Sequence, residues 1–284
     1  MLTLLYRGSL TSCNYACGYC PFAKRRDTRA TLARDAAELV RFVGWVEARE
    51  APTRVLFTPW GEALIRRHYR EAMGRLAAMP HVVQVAAQTN LSGPLAWLED
   101  VPRDRLSLWC TWHPEEVPLQ RFLDRSTRLA ALGVRHSVGV VARREHYDAI
   151  LALKAVLPEG VPLWLNAYDR RGPGYYTPQD LAWLDEVDPW FHHEHSPGGS
   201  RGKACRAGEE VVSVDGDGEV RRCHFVPQRL GNLYTDPLEA MLAPRPCSRF
   251  KCDCFIGYAH RRDLPIAEAF GDGVLARIPI SAAA

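Results

Sequence analysis

A chain of 284 residues that is 47% hydrophobic holds enough apolar material for one large domain, or a domain with an appendage, and is not disordered by composition. Its 36 basic and 33 acidic residues leave a net charge of +3, with the basic side almost wholly arginine, so there is no electrostatic footprint for nucleic acid. No apolar run reaches the ~18–20 residues of a membrane span, and Met1–Arg7 lacks a secretory pattern, so no membrane partner is expected and a cytoplasmic location is.

Strands and helices alternate along the chain. Leu2–Tyr6 reads as a buried strand, and Leu32–Glu50 carries apolar residues at helical spacing. Arg54–Thr58 is a second strand and Arg66–Met79 a helix. Val82–Ala87 is the third strand, followed by a short helix from Pro94 to Trp97, and Leu106–Thr111 is the fourth. A helix over Leu119–Leu132 is stopped by Gly133. Next come a strand at His136–Val141, a helix at His146–Leu157, a strand at Pro162–Ala167 and a helix at Pro178–Glu186. Such alternation implies parallel strands joined by right-handed crossovers. These strand–helix units fall short of a closed eight-fold barrel, so the expected fold is α/β, a partial barrel over residues 1–195.

The pattern changes at the Ser196–Gly202 loop. Glu210–Val214 and Glu219–Cys223 flank Asp215-Gly-Asp-Gly218, a hairpin signal, and the chain is rich in proline and cysteine from Pro244 onward. A small α+β domain is expected over residues 196–284, with Phe255–Tyr258 and a helix around Ile266–Phe270 packing back onto the barrel. The histidines of Phe191–His195 read as a solvated connecting loop, and Ser281–Ala284 as a vector remnant.

Nine cysteines are an odd number in a chain with no export signal, so reduced thiols are expected. They sort by position. Cys13, Cys17 and Cys20 stand close together after the first strand, Cys110 stands alone, and Cys205, Cys223, Cys247, Cys252 and Cys254 fall in the last third. The first group lacks the fourth ligand that a structural zinc site requires. Three thiolates on a four-iron cluster leave one iron open, and a loop after a strand C-terminus is where barrel sites lie.

With its aromatic Tyr19 before the third cysteine, this Cys13–Cys20 loop resembles that of the radical S-adenosylmethionine (SAM) superfamily. The resemblance implies a partial (β/α)6 TIM-like barrel and a [4Fe-4S] cluster on Cys13, Cys17 and Cys20. The methionine amine and carboxylate of SAM would chelate the open iron, and reductive cleavage would give a 5′-deoxyadenosyl radical that abstracts a substrate hydrogen. Tyr19 would lie near the adenine. Thr58-Pro-Trp-Gly61-Glu62 resembles the family's Gly-Gly-Glu segment, with Trp60 in place of the first glycine. Gly61 and Glu62 would therefore face the methionine amine, and Trp60 must point away. Thr89, Asn90 and Thr111, at strand ends, would contact the cofactor's carboxylate or ribose. Arg143 and Arg144 offer a carboxylate clamp, one of them being a charge at a helix start. Asn166 faces either the pocket or the next loop. His113 and Cys110 are the catalytic candidates, and His113 could equally be satisfied by its own loop.

The second cysteine group, with its hairpin and Leu230-Gly-Asn-Leu233, resembles the SPASM/twitch extensions of radical SAM enzymes. The resemblance implies one auxiliary [4Fe-4S] cluster held by Cys205, Cys223 and two of Cys247, Cys252 and Cys254. A zinc site from four of the five stays open. The implied substrate is a peptide or protein, with a small molecule as the alternative, and the implied electron donor is a flavodoxin or ferredoxin. A zinc or iron–sulfur binding protein without turnover is the reading from another class.

Overall fold

Strand β1 (Leu2–Arg7) is buried from Leu2 to Tyr6, so both its faces are covered. The computed structural model describes residues 1–23, 25–168, 174–196 and 198–280. After β1 come α1 (Arg29–Glu47), β2 (Thr53–Phe57), α2 (Arg67–Ala77), β3 (Val82–Thr89), β4 (Leu106–Thr111), α3 (Leu119–Ala131), β5 (Arg135–Val141), α4 (Tyr147–Val156), β6 (Leu163–Asn166) and α5 (Pro178–Val187). The remainder supplies α6 (His192–His195), β7 (Val211–Asp215), β8 (Glu219–Cys223), β9 (Val226–Asn232), α7 (Leu238–Met241), α8 (Phe255–Tyr258) and α9 (Ile266–Phe270).

Local chemistry sets the boundaries. Thr28 caps α1 by accepting the Thr31 N–H, and Thr177 with Asp180 forms a capping box ahead of Pro178 at α5. Gly133, at φ +71°, ends α3 in the left-handed conformation that favours glycine. The expected short helix from Pro94 to Trp97 is a 3₁₀ turn over Ala96–Asp100.

Among the described residues the strands form one sheet in the order β6-β5-β4-β3-β2-β1-β7-β8-β9. The first six run parallel, each beside its sequence neighbour, as the strand–helix alternation requires. Beyond residue 196 the chain continues this same sheet, because β7 pairs parallel with β1 and the antiparallel β8 and β9 extend it. Strand β9 escapes sequence reading: Val-Pro-Gln-Arg-Leu-Gly-Asn has the proline and glycine of an edge strand and no alternation.

Two apolar layers cover the sheet. On one side Leu4, Tyr6, Phe57, Val85, Leu108 and Val138 meet α-helical residues such as Phe42, Met73, Phe122 and Ile150. On the other, Leu5, Leu56, Ala86, Trp109 and Trp164 meet Phe255, Tyr258, Phe270 and Leu275 of the chain's last segment. The tail therefore packs back onto the strands, filling the face opposite the helices. Gly139 is glycine because Trp164 lies across it: a β-carbon there would sit 2.1 Å from the indole.

Arg277 is carried into this layer, 1% exposed, with Nη1 3.1 Å from both Glu194 Oε1 and Asn166 Oδ1. Glu194 also accepts the Tyr258 hydroxyl at 2.7 Å. The solvated-loop expectation for Phe191–His195 is thereby corrected: Phe191 is buried and precedes a short helix in which His193 and Glu194 are buried, because Glu194 answers a buried arginine. Among the described helices none is long and apolar enough to cross a membrane. Ser281–Ala284 lie outside the described residues.

Candidate active site

The loop after β1 is held by carboxylates. Asp35 of α1 accepts the Leu10 N–H at 2.9 Å, Glu38 accepts the Ser9 N–H and hydroxyl at 3.1 and 2.8 Å, and Asp27 accepts the Thr11 and Ser12 N–H groups at 2.9 and 2.8 Å. Burial works to raise the Asp27 pKa, but hydrogen bonds from Thr11 and Ser12 outweigh it and hold the group below its ordinary value. Sequence reasoning missed these anchors. Their signal is two acids, Asp35 and Glu38, one helical turn apart on the same face as Leu39 and Phe42.

This anchored loop carries Cys13, Cys17 and Cys20. Backbone N–H groups two residues on point at two of the sulfurs, Tyr15 at Cys13 and Phe22 at Cys20, both at 3.4 Å. Asn90 Nδ2 lies 3.5 Å from the Cys13 sulfur, and His113 Nδ1 lies 3.4 Å from that of Cys17 and 2.8 Å from the Tyr19 hydroxyl. Burial pushes the Cys17 thiol up to about 12 and also raises Cys13, with the neighbouring Cys20 adding to both. An iron centre reverses that penalty by taking the thiolate charge. The donor set of three thiols, with N–H groups aimed at sulfur, fits the open-sited cluster that the spacing suggests.

The segment after β2 is pressed onto this loop. Glu62 N donates to the Ser12 carbonyl at 3.1 Å, and a β-carbon on Gly61 would stand 2.0 Å from that oxygen. The buried Glu62 carboxylate turns the other way and accepts from the Thr89 hydroxyl at 2.7 Å, Asn90 N at 2.6 Å and Leu64 N at 2.9 Å. Burial raises its pKa, and these donors counter part of the rise. The Trp60 indole packs on the Arg7 guanidinium, 3.8 Å from the ring centroid, and on the Phe22 ring at 4.3 Å.

The other candidate residues divide. Thr111 ends β4 on the face that carries Trp109. Arg143 pairs with Glu115 and lies over the Tyr19 ring at 5.0 Å, whereas Arg144 is exposed and pairs with Asp180 at 3.1 Å. Asn166 meets Arg277, as above. Cys110 is not brought to the site: it is wholly buried in the layer between sheet and helices, and burial raises its pKa. His113 is brought there, and burial, then the neighbouring His146, lowers its pKa to about 4, which leaves the ring neutral.

Backbone pairing gathers the second cysteine group. Cys247 N donates to Lys203 O at 2.9 Å and Gly202 N to Cys247 O at 2.8 Å, which sets Cys247 beside the segment carrying Cys205. Cys205 is bridged in turn to Arg261. Cys252 sits centrally, its pKa raised by burial and then by the charges of Cys223, Cys247, Cys205 and Cys254. Cys254 is turned elsewhere: burial lifts it to about 12, and its largest charged neighbours are Glu194 and Arg277.

No protein-family model and no curated protein matches this sequence. Solved structures do match. A structure described as native anSMEcpe with bound AdoMet aligns at a TM-score of 0.58 and 15% identity, covering 85% of this chain and 80% of that one. Native anSMEcpe with bound AdoMet and Kp18Cys peptide aligns at 0.57 and 14%, covering 84% and 80%. This chain has the fold of anSMEcpe.

Within that fold the cysteine loop and the Gly61 segment occupy the carboxyl ends of the parallel strands β1 and β2. A cavity of about 260 Å³ opens beside them. Arg7, Gly8 and Trp60 line it together with Ser213–Asp215, Glu219, Arg221 and His224, Arg7 and Asp215 being register partners on the adjacent strands β1 and β7.

Proposed function

We propose that this chain is a radical SAM enzyme that abstracts a hydrogen atom from its substrate. The observation that carries the reading is the convergence of Cys13, Cys17 and Cys20 on one anchored loop, with the Gly61 backbone packed against it. When bound, the cluster and SAM supply the electron and the 5′-deoxyadenosyl group that takes the hydrogen. Cys13, Cys17 and Cys20 would hold the iron, and Asp27, Asp35 and Glu38 fix the loop that presents them. Gly61 lets the backbone after β2 approach the cysteine loop, which would bring this segment to the methionine end of SAM. Glu62 positions Thr89 and Asn90, and Asn90 reaches the Cys13 sulfur. His113 holds the Tyr19 hydroxyl and lies beside the Cys17 sulfur.

A second site is part of the proposal. Cys205, Cys223 and Cys247, the thiols that act most strongly on Cys252, would hold an auxiliary [4Fe-4S] cluster together with it, and Cys254 would be left outside. A peptide or protein is the favoured substrate, supported by the fold shared with a protein that takes a peptide beside AdoMet. A flavodoxin or ferredoxin would deliver the electron.

The test is anaerobic reconstitution with iron and sulfide, then incubation with SAM and dithionite. Release of 5′-deoxyadenosine and methionine that disappears in the Cys17→Ala variant is the expected result. An intact, brown, iron-loaded protein that binds no SAM and releases no 5′-deoxyadenosine overturns the reading.

A further inference from the structure

Trp60 departs from the Gly-Gly-Glu pattern, and the cavity beside it explains what the departure does. The indole holds Arg7 by its face, while Arg7 Nε and Nη2 donate to the Thr58 carbonyl and hydroxyl at 2.7 and 2.8 Å. Arg7 Nη1 makes no hydrogen bond among the described residues, and no carboxylate there pairs with this guanidinium. A partly buried cation that is held by Thr58 and Trp60, has the Cys254 thiol as its charged neighbour and lines a cavity is a site for an anion. His224 lines the same cavity, and its Nε2, shut off from solvent, has no hydrogen-bond partner. Buried polar atoms are nearly always satisfied, so an orphan on a residue that lines a cavity marks a place for a ligand atom.

The other charges in the cavity select among anions. Arg221 is already paired with Glu219 and lies 3.8 Å from Asp215 Oδ2. That Asp215 oxygen accepts no hydrogen bond among the described residues, so a donor group on the ligand can use it. Two nearby carboxylates, Asp215 and Glu219, repel a dianion such as phosphate more strongly than a singly charged carboxylate. Location adds the last constraint. Trp60 precedes Gly61, which packs on the Cys13 loop, and His224 follows Cys223, so an occupant meets the segments that carry both thiol groups.

We propose that Arg7 and His224 form the subsite that recognises a carboxylate of the substrate, with Asp215 accepting a donor group of the same molecule. This deepens the radical SAM reading and rests on it for the occupant being a substrate. The carboxylate can belong to an acidic peptide side chain or to a small organic acid, and the two sources share the same recognition.

The experiment is isothermal titration of the reconstituted full chain, without SAM, using two terminally blocked peptides that differ only in one glutamate or glutamine. Propionate and inorganic phosphate serve as free-anion probes. The glutamate peptide, propionate, or both are expected to bind at least about tenfold tighter than the glutamine peptide and phosphate. Binding by the peptide alone assigns a peptide source, and binding by propionate alone a small acid. Arg7→Gln is expected to erase the preference and Arg7→Lys to keep part of it, with His224→Gln, which leaves the Arg7–Thr58 bonds intact, weakening it several-fold. Equal binding of the two peptides with no propionate binding, tighter binding of phosphate, or a preference that survives Arg7→Gln overturns the proposal. A chain that shows the preference but never releases 5′-deoxyadenosine sinks the radical reading alone. One that cleaves SAM without any carboxylate preference sinks this inference alone.

Discussion

Gly61 and Ser12 touch backbone to backbone, with no room between them for a methyl group: a β-carbon on Gly61 would fall 2.0 Å from the Ser12 carbonyl oxygen and 2.7 Å from its carbon. Neither atom belongs to a flexible side chain, so the contact cannot be relieved by a rotamer change. Gly61→Ala is expected to push the segment after β2 off the cysteine loop at a cost of about 1–3 kcal/mol. A lowered unfolding midpoint, together with weaker SAM binding to the reconstituted protein, would show it. Unchanged SAM affinity would argue that the contact is not needed by the site.

Glu62 tests how the third strand is tied to that segment. Its carboxylate satisfies the Thr89 hydroxyl and the backbone N–H groups of Asn90 and Leu64 in a buried place. Glu62→Ala leaves those donors unmet and is expected to destabilise the fold by at least about 2 kcal/mol. Glu62→Gln keeps one acceptor oxygen and should cost less. Urea unfolding of both variants checks the order.

Arg277 tests the packing of the tail. Replacing it with methionine leaves Glu194 and Asp188 as buried carboxylates without their cation. A loss of about 3–5 kcal/mol is expected by denaturant unfolding. Adding Glu194→Gln to Arg277→Met should recover part of that loss, because the uncompensated charge is removed. A double variant no more stable than the single one would assign the effect to lost packing against Trp164 and Phe255.

Asp27 gives a pH dependence with a definite sign. Its folded-state pKa lies below the ordinary 3.8, so its contribution is fully present above that value and is lost as pH falls through the folded pKa. The stability gap between wild type and Asp27→Asn should therefore be constant near neutrality and shrink below about pH 4. Melting curves of the pair from pH 6 downward measure it.

The cysteines make a prediction by position. Cys110→Ala should leave the iron content unchanged, since the residue is buried between sheet and helices. Cys17→Ala and Cys252→Ala should each lower it, from about eight irons per chain to about four. Iron and sulfide analysis after reconstitution settles the count.

These outcomes trace back to how the chain encodes itself. Strand and helix order was legible because buried strands and amphipathic helices leave short-range patterns, and β1 to β6 lie where those patterns put them. The first cysteine group was legible for a similar reason. Three thiols within one loop must be neighbours whatever the rest of the chain does. Only tertiary structure decided that β7 pairs with β1, since hydrogen bonding between distant strands leaves no periodic mark. It also turned His192–His195 from a loop into a helix, because the reason for burying Glu194 is an arginine far along the chain. Trp60 shows the same division. Sequence marked it as a misfit in a glycine segment, and the fold set Arg7 and Phe22 against its indole. Residue spacing thus determined which atoms this protein has for its chemistry. Long-range packing, through burial and the search of each buried charge for a partner, decided which of those atoms face the cavity.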